Sequence, residues 1–331
     1  IERNGGSLTS SIGASRRGKF PKSIFPIFTD IFYKSNKHMK LYAIFQSKSN
    51  ISKLILFLLI FIFCSIIGSA IATLFFSSDL IIDQKLSQLI ISTFIFIIPP
   101  LLFCYLEGVS ILKGLGFANF FNPRMILLIL VIMVFVLPFI AYSAQLNKEF
   151  IMFWPDSFAN LRDSILQMEQ RAIDITESFL KMDNIGDLMF NLFLIALVPA
   201  IGEEMVFRGF LQKKLYLVIR NPHIAILASS FIFSAIHMQF LTFLPRLLLG
   251  ILLGYLFYYS CNLWMSVIAH FINNGIAIVL HYYLFANRVD LDIVSGDTEV
   301  SGVFGLISAC IVLMFLYLYK QISPVAPKKI N

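Results

Sequence analysis

Residues 192–210, LFLIALVPAIGEEMVFRGF, set two glutamates and an arginine inside an otherwise apolar run. With its flanks, from Asp187 to about Tyr216, the run is long enough to cross a hydrocarbon core of about 30 Å, which takes about 20 helical residues. An ionisable group near the middle of a bilayer costs at least about 2.5 kcal/mol, so a membrane helix that keeps three of them needs a purpose. Glu204 and Arg208 are four apart and share a helix face, where they can neutralise each other. Glu203 points about 100° away and lacks that partner. A carboxylate in an apolar setting suits general acid or base work, although this segment alone fits a structural ion pair equally well.

The rest of the chain agrees with a membrane setting. Of its 331 residues 58% are hydrophobic and 14% charged, and the mean hydropathy is +0.82, far from the balance of a soluble domain. Apolar stretches cover Leu54 to Phe76, Leu89 to Tyr105, Met125 to Ala144, Asp187 to about Tyr216, Pro222 to Phe240, Leu247 to Ser260, Leu263 to Phe285 and Val303 to Tyr319. They are too long and too uniformly apolar for barrel strands, so the expected fold is all-α, a polytopic membrane bundle of about eight transmembrane helices.

Charge gives the orientation. Basic residues gather in the N-terminal arm (Arg16, Arg17, Lys19, Lys22, Lys37, Lys40, Lys48, Lys53), after the fourth span (Lys213, Lys214, Arg220) and in the tail (Lys320, Lys328, Lys329). Acidic residues occupy the alternate connections, as Asp79 and Asp83, Asp156 to Asp183, and Asp290, Asp292, Asp297 and Glu299. Eight spans with both termini in the cytoplasm put the basic clusters on one side, which predicts a multi-pass protein of the cell (inner) membrane. The net charge of +7 is thereby explained without nucleic acid, which is not expected as a partner. Cys64, Cys104, Cys261 and Cys310 are scattered singly and read as packing residues. Residues 1–38 are polar and basic before Met39, which fits a natural start at Met39. In the long connection Leu146 to Gly186, apolar residues at Leu161, Ile165, Met168, Ala172, Ile175 and Phe179 predict an amphipathic helix lying over the bundle on the outer side.

Two further polar groups stand in apolar runs. His237 closes the fifth span, with Phe233 one turn before it, and His270 and Asn274 lie one turn apart on one face of the seventh. A lone His is more often structural, and a buried polar pair also glues membrane helices together. Depth joins the three groups. Counted from the cytoplasmic ends, Glu203 lies about 20 Å from Tyr216, His237 about 22 Å from Pro222 and Asn274 about 16 Å from Leu263. Similar depths on separate helices describe one cavity.

This ordered set, EExxxR at Glu203, Glu204 and Arg208, FxxxH at Phe233 and His237, and HxxxN at His270 and Asn274, resembles the CAAX prenyl protease and bacteriocin-processing (Abi) family of membrane peptidases. Pro199, Phe207-Arg208-Gly209, Gly250, Gly254 and Asn262-Leu263-Trp264 add to the likeness, which covers about Asp187 to Phe285. The resemblance implies an intramembrane endopeptidase in which Glu203, assisted by His237, activates a water for attack on a peptide carbonyl. His270 and Asn274 would stabilise the oxyanion, and Glu204 with Arg208 would shape the site, both glutamates being counted among the family's catalytic residues. The implied organisation is a basic cytoplasmic arm over 1–53, N-terminal membrane helices and the amphipathic helix over 54–186, a catalytic core over 187–285, and a last helix with a cytoplasmic tail over 286–331. The family is often labelled metallopeptidase, and Glu203, His237 and His270 could supply a three-ligand zinc site, yet no local HExxH decides the matter. His281, about 20° around the helix from His270, reads as interfacial, and His38 and His223 have no evident role. Partners are then a membrane-associated peptide or protein substrate and the lipid bilayer. The competing readings are a non-catalytic immunity or scaffold protein using the same cavity, and a transporter, which the missing internal repeat and the clustering of motifs in one half count against.

Overall fold

The computed structural model describes residues 45, 47–76, 80–118, 122–286 and 300–323. The basic arm before residue 45, His38, Met39, Asp79, the acidic residues Asp290 to Glu299, Lys328 and Lys329 lie outside the described residues. Every described residue is in one unit, Lys40–Asn331, and among them the regular structure is helical throughout.

Ten helices carry the argument: α1 (Asn50–Phe75), α2 (Ile81–Glu107), α3 (Pro123–Phe135), α4 (Leu137–Met152), α5 (Ala159–Leu180), α6 (Ile185–Ile219), α7 (Pro222–Ala235), α8 (Phe243–Ser260), α9 (Leu263–Ala286) and α10 (Gly302–Gln321). Six of them (α1, α2, α6, α8, α9 and α10) are long and apolar enough to cross a membrane. The pair α3 and α4, bent by 42° at Val136, makes a seventh if taken as one span. The chain is therefore a multi-pass membrane protein. The expected span from Pro222 to Phe240 differs: α7 is 14 residues long, about 21 Å at helical rise and short of a bilayer core. The residues after it form a turn that leads into α8.

Two spans are not plain α-helices, and proline is the reason. Pro99 and Pro100 in α2 and Pro199 in α6 cannot donate to the carbonyls four residues earlier. A π turn precedes each, over Thr93–Ile97 and Leu192–Leu197. A third π segment, Met205–Gln212, follows Glu204 and carries Arg208. The predicted amphipathic helix is α5, with Ile165, Glu169 and Phe179 buried.

Packing is apolar and close. Met125, Ile129, Ile132 and Met133 of α3 meet Leu249, Leu252, Leu253 and Leu256 of α8, Met265 and Ala269 of α9, and Val312 and Tyr319 of α10. A second cluster is aromatic, with Phe57, Phe103, Phe207, Phe210 and Phe233 in contact and the Phe57 and Phe210 rings stacked at 3.8 Å. Glycines allow the close approaches of α6 to α2 and of α8 to α7. A Cβ at Gly202 would lie 2.8 Å from Phe96 Cβ on the π turn of α2, and one at Gly254 would lie 2.8 Å from Ile226 Cγ2. Large apolar side chains such as Leu59, Phe63 and Ile66 of α1 and Phe304, Ile307 and Leu313 of α10 are exposed, the surface expected of a protein whose solvent is lipid.

Candidate active site

The site is built on α6, α7, α8 and α9. Glu203 is 8% exposed and Glu204 and Arg208 are at 0%, so all three charges are out of solvent and must satisfy one another. Arg208 does so on two sides. Its Nη1 donates to Glu204 Oε1 at 2.7 Å and its Nη2 to the Gly250 carbonyl of α8 at 2.9 Å. The guanidinium also lies 4.8 Å over the Phe233 ring. One turn on, Gln212 donates to the Gly254 carbonyl at 3.1 Å, so two α6 side chains four apart read two α8 carbonyls four apart.

Glu204 Oε1 has a second partner, Nδ1 of His270, at 2.9 Å. A carboxylate only accepts, so Nδ1 carries a proton, and Nε2 is turned away from Glu204. That Nε2 lies 3.8 Å from Glu203 Oε2. His237 repeats the arrangement from the other side. Its Nδ1 is 2.7 Å from the Phe233 carbonyl oxygen, again an acceptor only, and its Nε2 is 4.0 Å from Glu203 Oε2. Phe233 stands edge-on to both imidazoles, with centroids 5.1 Å from His237 and 5.9 Å from His270. Two imidazole nitrogens thus face one carboxylate oxygen at distances too long for a direct hydrogen bond and short enough for one water to touch all three groups.

Asn274, expected to act with His270 on one oxygen, is engaged elsewhere. Its Nδ2 is 3.5 Å from the Ile195 carbonyl and its Oδ1 accepts from Asn273 at 3.1 Å. Ile195 is four residues before Pro199, which has no N–H to offer it, so Asn274 reaches a carbonyl that proline leaves short of a donor. His281 is about a third exposed or less and sits three turns from His270 on α9, while His223 Nδ1 is 2.8 Å from the Tyr255 hydroxyl at the start of α7.

Two neighbouring residues carry no sequence motif. Arg246, in the first turn of α8, interacts electrostatically with Glu203, and Glu169 of α5 is 6% exposed. An arginine within the apolar run Phe240 to Leu253 was the available signal for the first, and a carboxylate on the apolar side of the α5 stripe for the second.

Glu203, His237 and His270 have the donor types that zinc takes, and each histidine has its Nδ1 tied as metal-bound histidines do. The separations of 3.8 and 4.0 Å exceed the roughly 3.4 Å between ligands of a tetrahedral zinc. Among the described residues no group of three His, Cys, Asp or Glu closes to a metal-holding arrangement. The residues as placed do not fit the ion.

Fold and site together define a polytopic α-helical membrane protein with a buried carboxylate–imidazole cluster on its central helices. Residues 185–276 match the family described as type II CAAX prenyl endopeptidase Rce1-like, so the segment that holds Glu203, Glu204, Arg208, His237, His270 and Asn274 carries that family's pattern. The chain is also similar to a Bacillus subtilis (strain 168) protein described as uncharacterized protein YpbD, 31% identical over 90 residues. That similarity covers 26% of this chain and 43% of the relative, less than half of its length. No solved structure matches the chain.

Proposed function

We propose that the chain is an intramembrane endopeptidase of the CAAX-protease type, hydrolysing peptide bonds of membrane-associated proteins or peptides. The observation that carries this reading is the convergence of His237 Nε2, from the turn after α7, and His270 Nε2, from α9, on the Oε2 of a single buried glutamate, at 4.0 and 3.8 Å. A structural ion pair needs no such third and fourth group.

In this reading a water between Glu203 and the two imidazoles gives a proton to Glu203 Oε2 as its oxygen bonds to the peptide carbonyl carbon. The carbonyl electron pair moves onto oxygen. In this reading His270 acts as the imidazolium: it takes its second proton from bulk water before the substrate binds, keeps its Nδ1–H on Glu204, and holds both protons through the step. Its Nε2–H can then donate to the oxyanion. Collapse breaks the C–N bond, and the proton held by Glu203 goes to the departing amine. His237 orients the water, and Asn274, by tying α9 to the π turn of α6, keeps His270 level with Glu203. The core over 187–285, a cell-membrane location with both termini cytoplasmic, and peptide and lipid as partners belong to the same reading.

The test is a comparison of membrane peptides and proteins from cells carrying the parent chain and Glu203→Ala at equal chain levels. One precursor should accumulate uncleaved in the variant, and at least a hundredfold loss is expected for removal of the general base. An unchanged phenotype and unchanged processing would point to a non-catalytic binding protein instead.

A further inference from the structure

His237 opens the turn between α7 and α8, residues 236–242, and that turn is held from several directions. Met238 has φ of 54°, a left-handed conformation that a non-glycine residue keeps only when its surroundings impose it. Asn147 of α4 donates to the Phe240 and Leu241 carbonyls at 2.7 and 2.8 Å and accepts from the Leu244 N–H at 3.2 Å. Arg246 of α8 donates through Nη2 to Gln239 Oε1 at 2.6 Å, two residues after His237. Glu169 of α5 interacts with the Leu241 backbone N–H.

Arg246 stands where a cation is otherwise unwelcome. It is in the first turn of a helix, against the positive end of the backbone dipole. Two carboxylates from different helices offset this, since its charge interacts with both Glu203 on α6 and Glu169 on α5. Glu169 gains in turn: burial pushes its carboxyl up from the ordinary range, while the Leu241 N–H and Arg246 draw it back. One guanidinium therefore bonds the turn that carries His237 and sets its charge in the field of a carboxylate on the amphipathic helix and of the glutamate that His237 faces.

We propose that Arg246 is a positioning residue of the site, which together with Glu169 fixes the 236–242 turn under α5 so that His237 keeps its Nε2 on Glu203. The inference rests on the hydrolase reading for its consequence in catalysis, but the clamp itself is a statement about geometry. Loss of the guanidinium removes the hydrogen bond to Gln239 and leaves two buried carboxylates without their shared cation. A shift of His237 by about 1 Å is enough to cost about a hundredfold in rate. Lysine supplies the charge and one donor, so Arg246→Lys keeps much of the clamp, whereas Arg246→Gln keeps neither the charge nor the fork.

Two measurements on the full chain test this. Spin labels at Met238→Cys and at Arg171→Cys, an exposed position on α5, report the distance between turn and helix when the exposed Cys261 and Cys310 are replaced by serine. The parent and Arg246→Lys should give one narrow distribution, and Arg246→Gln and Glu169→Gln a broad or displaced one. An unchanged distribution in Arg246→Gln overturns the clamp. In cells, Arg246→Gln at parental chain level should slow precursor processing by about tenfold to a hundredfold, and Arg246→Lys should restore most of it. Parental processing by Arg246→Gln overturns the positioning role. Processing that ignores Glu203→Ala instead removes the hydrolase reading, and the distance measurement still decides the clamp.

Discussion

Arg208 is the residue on which the site's charges balance. Its side chain is fully buried, with Glu204 at 2.7 Å and the Gly250 carbonyl at 2.9 Å. Arg208→Met is expected to leave Glu204 charged, buried and short of its partner, at a cost of about 3–5 kcal/mol. The double variant Glu204→Gln/Arg208→Met removes both charges and should recover much of that loss. Thermal unfolding of the solubilised chain checks both, and a single variant no less stable than the double would contradict the assignment. The Glu204–Arg208 pair was legible from its spacing of four. The bond from His270 to Glu204 was not, because it joins residues 66 apart and depends on how α9 rotates against α6. Asn274 shows the same limit: one helix face placed it with His270, while the packed bundle also sets its amide 3.5 Å from the Ile195 carbonyl.

At the scale of elements, the close passage of α8 past α6 and α7 runs through its glycines. A Cβ at Gly254 would meet Ile226 Cγ2 at 2.8 Å and Gln212 Oε1 at 3.0 Å, whereas one at Gly275 of α9 meets only Leu192 Cδ2 at 3.6 Å. Gly254→Ala should therefore destabilise the chain by about 1–3 kcal/mol through overpacking, and Gly275→Ala should be tolerated. Equal thermal midpoints for the two variants would contradict this account of the passage. Hydropathy located the helices well, since length and apolar content are properties of each segment alone. It overran α7, because Ile236, Met238 and Phe240 keep the turn largely apolar around His237 and Gln239, and such a turn is hard to tell by composition from a continuing helix. The π turns lay just before prolines that were visible, but widening rather than breaking is decided by neighbours that satisfy the freed carbonyls.

For the whole molecule, the alternation of basic and acidic connections predicts that both termini face the cytoplasm. Reporter fusions at the two ends should give the same, cytoplasmic signal, with a fusion in the connection before Ala159 giving the opposite one; termini on opposite sides would remove the eight-crossing arrangement, in which the short α7 counts as a crossing, and leave the seven spans that helix length supports. The amino-acid order alone specifies that lipid is the solvent, broadly where the apolar helices fall, and that Glu203, His237 and Asn274 lie at similar depths, since these follow from hydropathy and a constant rise per residue. Rotation about each helix axis does not follow from either. Only the packed bundle turns both imidazole Nε2 atoms toward Glu203 Oε2 and hands His270 Nδ1 to Glu204. It also brings Arg246 and Glu169 in beside them, because such contacts are set by which faces the glycines and aromatic rings allow to meet.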